Sequence, residues 1–268
     1  MEQQIIIAGM HRSGTSLSAS LLQKSGLFIG SDLMSGRFDN EKGHFEDLRI
    51  LEIHENDLAM KGLNTTGMGQ GIHDSLAFES ITETKIERFL NELPDLKLWG
   101  WKEPRTTLYL EAWKGVLPNA KYIALYRHYD EVAMSLIRRY KYKLRYGIGM
   151  TKFTRLKHFI IYPINILIKR RQAYKAWVVY NKAILNCHNK FPEDTIIFNL
   201  NNFTDNYNTA LQEINKAFNI HLKDIDVDQI LNKKLLNATK KQGLRLRLFS
   251  KQDLEGVLND LNKKTKWM

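Results

Sequence analysis

The chain has little cysteine, little proline and no long apolar run. Its single cysteine, Cys187, excludes an internal disulfide, and no hydrophobic leader precedes the first apolar run. We therefore expect a reducing, cytoplasmic location. The longest apolar patch, residues 159–168, is too short to span a bilayer and is interrupted by Pro163. The 268 residues fit one α/β domain over 1–268, although two smaller domains also fit that length.

Acidic residues are absent from one long stretch. Residues 132–192 contain no Asp or Glu and 14 Lys or Arg, whereas the rest of the chain carries 26 basic and 29 acidic residues. The net charge of +11 therefore arises within this stretch, where residues 138–146 interleave basic and aromatic side chains. Such a stripe is typical of a nucleic-acid surface, an anionic-lipid surface or an anionic-substrate funnel. It is equally typical of a solvated helix face.

The first apolar run ends in a turn bounded by glycines. Residues 5–8 are an apolar, mostly β-branched run that suits a buried strand, the turn runs from Gly9 to Gly14, and an apolar periodicity continues to Gly26. This order predicts a strand, an anion-binding loop and a helix. Glycine lets the backbone approach an anion, so that main-chain N–H groups and the helix N-terminus point at its oxygens.

This loop lacks the lysine of nucleotide-hydrolysing loops. When Gly9 and Gly14 are aligned with the pattern G-x-x-x-x-G-K-[ST], Thr15 stands where the lysine is expected. One guanidinium and three hydroxyls remain to contact the anion, namely those of Arg12, Ser13, Thr15 and Ser16. The loop resembles the 5′-phosphosulfate loop of sulfotransferases that use 3′-phosphoadenosine 5′-phosphosulfate (PAPS), in its bacterial and carbohydrate-type form. The alternative is an ordinary tight turn between strand and helix.

Strands and helices alternate along the rest of the chain. Further strands are predicted at residues 96–101, 121–126 and 195–200, and helices at 45–60, 81–93, 106–117, 130–146, 169–190 and 207–218. The glycine-rich residues 61–71 predict a mobile loop, a candidate lid over the site. This alternation indicates an α/β fold of three layers, with a central parallel sheet between helices. Ligands bind such sheets at the carboxyl ends of the strands.

Two of the later strands end in basic residues. Residues 96–101 lead into Lys102-Glu103-Pro104, which resembles a sulfotransferase element whose lysine reaches the transferred sulfuryl group; a surface Lys–Glu pair is the alternative. Residues 121–126 end at Arg127, with Ser135 eight residues later. That pair resembles the element of the same family that grips the 3′-phosphate. His128-Tyr129 departs from the family's usual turn, and Arg127 also suits a structural ion pair.

A carboxylate for proton transfer is expected near residue 46. The run Gly43-His44-Phe45-Glu46, after the loop at residues 40–43, resembles the segment that supplies the catalytic carboxylate in bacterial relatives. An attacking hydroxyl must lose its proton as the S–O bond forms, which requires a positioned base. Glu46 is the candidate and His44 the second choice. The alternative is that Glu46 is an acid in the first turn of a helix.

The combined resemblance implies a P-loop-like sulfotransferase fold and transfer of sulfuryl from PAPS to an acceptor hydroxyl. In that scheme Arg12 and Lys102 act with Glu46 in catalysis, the loop residues 12–16 bind the phosphosulfate, and Arg127 and Ser135 bind the 3′-phosphate. The resemblance implies no metal, and the cysteine and histidine spacing offers no metal site. The basic turn at residues 240–245 is a further candidate for contacting the 3′-phosphate and adenine, or a plain exposed turn.

The acceptor is expected to bear a sugar, as a carbohydrate or glycolipid, since the acid-free stretch is basic and aromatic. Residues 138–171 also suggest peripheral contact with the inner face of the membrane. A P-loop kinase or other phosphotransferase remains an alternative, which would require Mg²⁺ and a strand-end carboxylate. A nucleic-acid-binding or membrane-binding protein without enzymatic activity is the other alternative, although no nucleic acid is expected as a partner.

Overall fold

The computed structural model describes residues 3–35, 44–227 and 251–265. Its sheet has four parallel strands in the order β2-β1-β3-β4. The strands are β1 (Gln3–Ala8), β2 (Leu98–Lys102), β3 (Lys121–Tyr126) and β4 (Thr195–Asn199). The described part of the chain thus has the parallel α/β sheet that the sequence predicts.

Helices cover both faces of this sheet. In chain order they are α1 (Thr15–Lys24), α2 (Leu48–Met60), α3 (Ser80–Asn91), a 3₁₀ helix (Pro104–Tyr109), α4 (Leu110–Val116), α5 (Tyr129–Tyr146), α6 (Lys152–Ile160), α7 (Tyr162–Lys190), a second 3₁₀ helix (Pro192–Asp194), α8 (Leu200–Asp205), α9 (Tyr207–Phe218) and α10 (Lys251–Lys264). The parallel sheet with a helical layer on each face confirms the predicted fold class.

Two hydrophobic cores separate the three layers, because side chains alternate along each strand. In β1, Ile6 and Ala8 face a core shared with α2, α3, α4, α5, α7 and α10. Ile5 and Ile7 face the opposite core, which α1, α8 and α9 complete. All four side chains are fully buried, which explains why β1 reads as a continuous apolar run.

Several predicted boundaries move in the structure. Residues 106–117 do not form one helix, because a 3₁₀ helix that begins at Pro104 precedes α4. The predicted helix at residues 169–190 begins earlier, with Pro163 in the first turn of α7. Proline is favoured there because the first turn of a helix needs no N–H donor. The short helix α6 was not predicted, and residues 61–71 contain neither helix nor strand, as expected.

Candidate active site

The loop between β1 and α1 takes backbone conformations that need glycine. Gly9 has a φ of 151° and Gly14 a φ of 86°, and Gly14 caps the N-terminus of α1. A Cβ on Gly9 would lie 2.6 Å from the carbonyl oxygen of Leu125, and one on Gly14 would lie 2.3 Å from Leu200 Cδ1. Arg12 also has a positive φ, of 71°. The loop therefore packs against the end of β3 and the start of α8, with no space for side chains at either glycine.

The loop holds one hydroxyl ready for a ligand. Ser13 is fully buried, and its Oγ has no hydrogen-bond partner within the described part of the chain. An unsatisfied buried hydroxyl costs about 1–3 kcal/mol, which an anion bound in the loop would recover. Thr15 is also buried, whereas Ser16 is partly exposed. The backbone N–H of Gly9 is not available to a ligand, because it donates to Thr107 Oγ1 at 2.8 Å.

The loop guanidinium reaches the helix that follows β3. Arg12 Nε donates to Ser135 Oγ at 2.9 Å, and Ser135 is buried in α5. The structure thus brings together two residues that the sequence assigned to opposite ends of the nucleotide. A hydroxyl that accepts from an arginine can still donate its own proton to a third group.

Arg127 follows the last residue of β3 and forms an ion pair with Glu131, in the first turn of α5. Its Nε donates to Glu131 Oε2 at 2.7 Å, which bears out the ion pair considered for this position. Its carbonyl oxygen accepts from Trp177 Nε1 of α7 at 2.8 Å, which fixes the end of the strand.

The lysine that ends β2 forms a buried ion pair with Glu46. Lys102 Nζ lies 2.6 Å from Glu46 Oε1, and the two side chains are 1 % and 9 % exposed. Burial lowers the pKa of Lys102 from its ordinary value, while the facing Glu46 carboxylate opposes that shift. Lys102 is therefore not half of a surface pair with Glu103. Two residues 56 positions apart meet instead at the strand edge.

The entrance to α2 positions Glu46. The helix begins at Leu48, and Asp47 is its N-cap, accepting a hydrogen bond from the Arg49 N–H. Glu46 therefore precedes the helix, and the reading of Glu46 as a first-turn acid is wrong. Its carbonyl accepts from the Met34 N–H at 2.8 Å, and Phe45 before it has a φ of 54°. A non-glycine residue with positive φ is strained, and such strain clusters at functional sites.

His44 lies two residues before Glu46. Its backbone N–H donates to the Met34 carbonyl at 3.4 Å, so His44 and Glu46 are both hydrogen-bonded through the backbone to Met34. The adjoining residues 40–43 and the basic turn at 240–245 lie outside the described residues. The side-chain contacts place Glu46, rather than His44, against Lys102.

Sequence reasoning missed a buried network below Lys102. His54 accepts from Trp113 Nε1 at 3.0 Å through Nε2, so its Nδ1 carries the proton and lies 2.9 Å from Glu103 Oε2. Arg105 donates to the other Glu103 oxygen at 2.5 Å. Burial alone would raise the pKa of Glu103, but the His54 hydrogen bond and the Arg105 charge lower it to about 2. A histidine on the buried face of α2 was the available sequence signal.

The irregular loop at residues 61–71 is tied to this network. Arg105 Nε donates to the Thr65 carbonyl at 2.5 Å, and His11 Nε2 lies 3.2 Å from the Thr66 carbonyl. Burial and the charge of Arg105 lower the pKa of His11 to about 3. Because the Thr66 carbonyl can only accept, His11 Nε2 is the donor in this contact. The loop therefore forms one wall beside the anion-binding turn, and its predicted mobility stays a prediction.

The strand register gathers these groups on one edge. Ile7 pairs with Lys102 across β1 and β2, and Ala8 pairs with Ala124 across β1 and β3. The anion-binding turn, Lys102 and the end of β3 therefore meet at the carboxyl edge of the sheet, where ligands of parallel sheets bind. No group of three or more His, Cys, Asp or Glu within residues 3–35, 44–227 and 251–265 is placed to hold a metal ion. No helix in the same ranges has the length and apolarity to cross a membrane.

Comparisons with known proteins identify the family of the chain. The sulfotransferase family model matches residues 4–159, and no curated protein sequence matches the chain. Sulfotransferase STF9 from Mycobacterium avium has a TM-score of 0.61 at 16% identity, covering 100% of this chain and 78% of its own. The sulfotransferase domain of the curacin biosynthetic pathway has a TM-score of 0.56 at 17% identity, covering 100% of this chain and 99% of that domain.

A third similar structure is the sulfotransferase domain of the Synechococcus PCC 7002 olefin synthase. It has a TM-score of 0.51 at 15% identity, covering 97% of this chain and 94% of that domain. At these identities the structural matches establish the fold, and the fold is that of a sulfotransferase. The family match covers more than half of the 268 residues and includes the loop, Glu46, Lys102, Arg127 and Ser135. The chain therefore belongs to the sulfotransferase family.

Proposed function

We propose that the chain transfers the sulfuryl group of PAPS to an acceptor hydroxyl, with Glu46 as the general base. The observation that carries this proposal is the buried pair of Lys102 and Glu46 at 2.6 Å, at the strand edge beside the anion-binding loop. A buried lysine and carboxylate are expensive to desolvate and add little net stability, and buried ionisable groups of this kind are candidates for a functional site.

The loop would hold the 5′-phosphosulfate. The buried and unpartnered Ser13 Oγ, the N-terminus of α1 and the Arg12 guanidinium all suit a group with several anionic oxygens. Arg12 Nε donates to Ser135 in the structure. A guanidinium has further N–H donors, so Arg12 can keep this contact and still bind a sulfate or phosphate oxygen.

In the proposed reaction, the acceptor oxygen attacks sulfur as the bond between sulfur and the bridging phosphate oxygen breaks. The electron pair of that bond leaves with adenosine 3′,5′-bisphosphate, and the acceptor proton goes to Glu46. Lys102 neutralises the negative charge that grows on the bridging oxygen. Sulfuryl transfer resembles phosphoryl transfer in its reliance on positioning and electrostatic stabilisation.

The ion pair fixes the positions of both side chains before the reaction. Glu46 uses Oε1 to accept from Lys102, and we assign the acceptor proton to its Oε2. Lys102 has three N–H donors, so it can hold Glu46 with one and reach the sulfuryl group with another. This arrangement fixes the base and the cation in one geometry before substrates arrive, which reduces reorganisation in the transition state.

Arg127 and Ser135 would bind the 3′-phosphate. Arg127 lies at the exit of β3, and Ser135 lies two turns into α5, the helix that follows this strand. The Arg127 and Glu131 pair would then have to open, or share the guanidinium with the phosphate. For the acceptor we propose a sugar hydroxyl, as in a carbohydrate or glycolipid, because the acid-free residues 132–192 favour a polar or anionic substrate.

Calorimetry with the whole chain tests the donor assignment. We expect adenosine 3′,5′-bisphosphate to bind more tightly than ADP, with no need for Mg²⁺. Ser135→Ala and Arg127→Ala should each weaken the bisphosphate by about tenfold or more, since each removes a contact to a charged group. Arg88→Ala is the matched control, because Arg88 is 83 % exposed on α3. Preference for ADP with Mg²⁺ would overturn the proposal in favour of a phosphotransferase.

A further inference from the structure

The exposed apolar side chains of this protein are concentrated in one region. Twelve large hydrophobic side chains of the described residues are exposed, and nine of them lie within residues 142–168. The nine are Tyr142, Tyr146, Phe153, Leu156, Phe159, Ile160, Ile164, Leu167 and Ile168. Isolated exposed apolar residues need no explanation, but a concentrated patch marks an interaction surface.

Helical spacing places these side chains on common faces. On α6, Phe153, Leu156 and Ile160 follow the spacing of one helix face, and no residue of α6 is buried. On the first turns of α7, Ile164, Leu167 and Ile168 also share a face. We call α6 and these first turns of α7 the apolar hairpin. Phe153 and Ile160 are the most exposed of the set, at 79 % and 73 %.

The rest of the fold holds the hairpin in place. Arg155 Nε donates to the carbonyl of Leu144 at 3.0 Å, and Tyr140 Oη lies 2.8 Å from His158 Nδ1. Both contacts join α6 to the end of α5, and Thr151 caps the helix N-terminus. The polar side of α6 is therefore used for attachment, while its apolar side chains stay uncovered.

The charges around the hairpin discriminate between partners. Five exposed basic residues flank it, namely Lys152, Lys157, Lys169, Arg171 and Lys175, and residues 132–192 contain no acid. A second copy would bring two such basic surfaces together, which like-charge repulsion opposes. A nucleic acid would satisfy the charges but offers no environment for exposed isoleucine and leucine side chains. An anionic bilayer supplies both an apolar layer and a negative surface.

We propose that the apolar hairpin docks the protein on the surface of an anionic phospholipid bilayer. Its isoleucine, leucine and phenylalanine side chains enter the boundary between headgroups and acyl chains, and the flanking lysine and arginine side chains contact the headgroups. The helix α7 connects this surface to the candidate active site. From Ile164 to Tyr180, which packs against Gly67 of the loop wall, the helix rises about 24 Å.

Co-sedimentation with vesicles tests the proposal without any measurement of catalysis. We expect the whole chain to bind vesicles that contain phosphatidylglycerol and not vesicles of phosphatidylcholine alone, with binding that weakens as salt rises. The triple variant Phe153→Ser/Leu156→Ser/Ile160→Ser should bind at least about tenfold more weakly, because it removes most of the inserting area on α6. Ile81→Ser is the matched control, since Ile81 is 59 % exposed on α3.

Two further variants separate insertion from simple charge attraction. Phe153→Trp should show a blue-shifted emission with phosphatidylglycerol vesicles and quenching by brominated acyl chains. Lys169→Gln/Arg171→Gln should weaken binding more than Lys85→Gln/Lys216→Gln, which removes the same charge from exposed positions elsewhere.

Several outcomes would overturn the proposal. Absence of vesicle binding would do so, as would binding that the triple variant leaves unchanged, because attraction by net charge would then explain it. A dimer of the wild-type chain that the triple variant dissociates would assign the hairpin to a second copy. Stronger binding to a polynucleotide, lost in the same variant, would assign it to nucleic acid.

Discussion

Replacing Glu46 by Gln gives the most direct test of the proposed chemistry. The amide keeps the size of the side chain and an oxygen that can accept from Lys102, but it cannot take a proton from the acceptor hydroxyl. General base catalysis contributes about 10²–10⁴-fold to rate, so turnover should fall by about that factor. Binding of adenosine 3′,5′-bisphosphate should change little, because in the proposed mechanism Glu46 contacts the acceptor hydroxyl and not the nucleotide.

The same substitution should lower stability by an amount that the structure allows to be worked out. Lys102 is 1 % exposed, and Glu46→Gln leaves its charge without an ionised partner at 2.6 Å. Breaking a buried ion pair costs about 3–5 kcal/mol, and the retained amide oxygen favours the lower end. For a chain of this size, about 3 kcal/mol corresponds to a Tm lower by roughly 6–12 °C.

A double variant separates these two effects. Glu46→Gln/Lys102→Met removes the uncompensated charge, so most of the decrease in Tm should be reversed, while turnover should stay at least as low as in Glu46→Gln. Turnover is measured with labelled PAPS and a carbohydrate acceptor selected with the unsubstituted enzyme, and Tm by scanning calorimetry. If Glu46→Gln keeps turnover within about tenfold of the wild type, the base lies elsewhere and His44 is tested next. If the double variant stays as unstable as the single one, the reasoning about the buried pair is wrong.

Two further predictions concern the loop and the buried network. Gly14→Ala should lower the free energy of unfolding by about 1–3 kcal/mol and weaken nucleotide binding, because Gly14 has a φ of 86° and an added Cβ would lie 2.3 Å from Leu200. Gly115→Ala is the control, because nothing lies near an added Cβ there, and it should leave stability unchanged or raise it. Urea unfolding measures both variants. Glu103 has a pKa of about 2 in the fold against 4.5 otherwise, so its contribution is present above pH 4.5 and is lost as pH falls toward 2. That contribution is on the order of 3 kcal/mol. In urea unfolding at several pH values, Glu103→Gln should be less stable than the wild type at pH 7, and its stability should fall less as the pH is lowered. If stability depends on pH as in the wild type, the low pKa assigned to Glu103 is wrong.

The hairpin also shows where the sequence stops being sufficient. The apolar patch at residues 159–168 and the basic stretch around it are visible in the sequence. The sequence did not predict α6. Pro163 was expected to interrupt the apolar patch, whereas in the structure it lies in the first turn of α7. Only the packing of α6 on α5 shows which of its faces is covered and which is left to a partner.

The strands and the anion-binding loop could be predicted because their causes are local. A β-branched run such as Ile5 to Ile7 suits a buried strand, and Gly9 and Gly14 permit backbone conformations that other residues resist. Strand ends in a parallel sheet share one edge, so the placement of Lys102 and Arg127 near the loop followed from the order of elements.

The contacts between distant side chains depended on tertiary structure. The sequence assigned Lys102 and Glu46 to the site, yet their direct pairing depends on how residues 44–47 enter α2. The Arg12 contact with Ser135 and the burial of Glu103 against His54 and Arg105 likewise join segments far apart in the chain. Local patterns determine which element a residue occupies, because backbone preferences act over a few residues. The packing of whole elements against one another decides which side chains meet, and no short stretch of sequence contains that information.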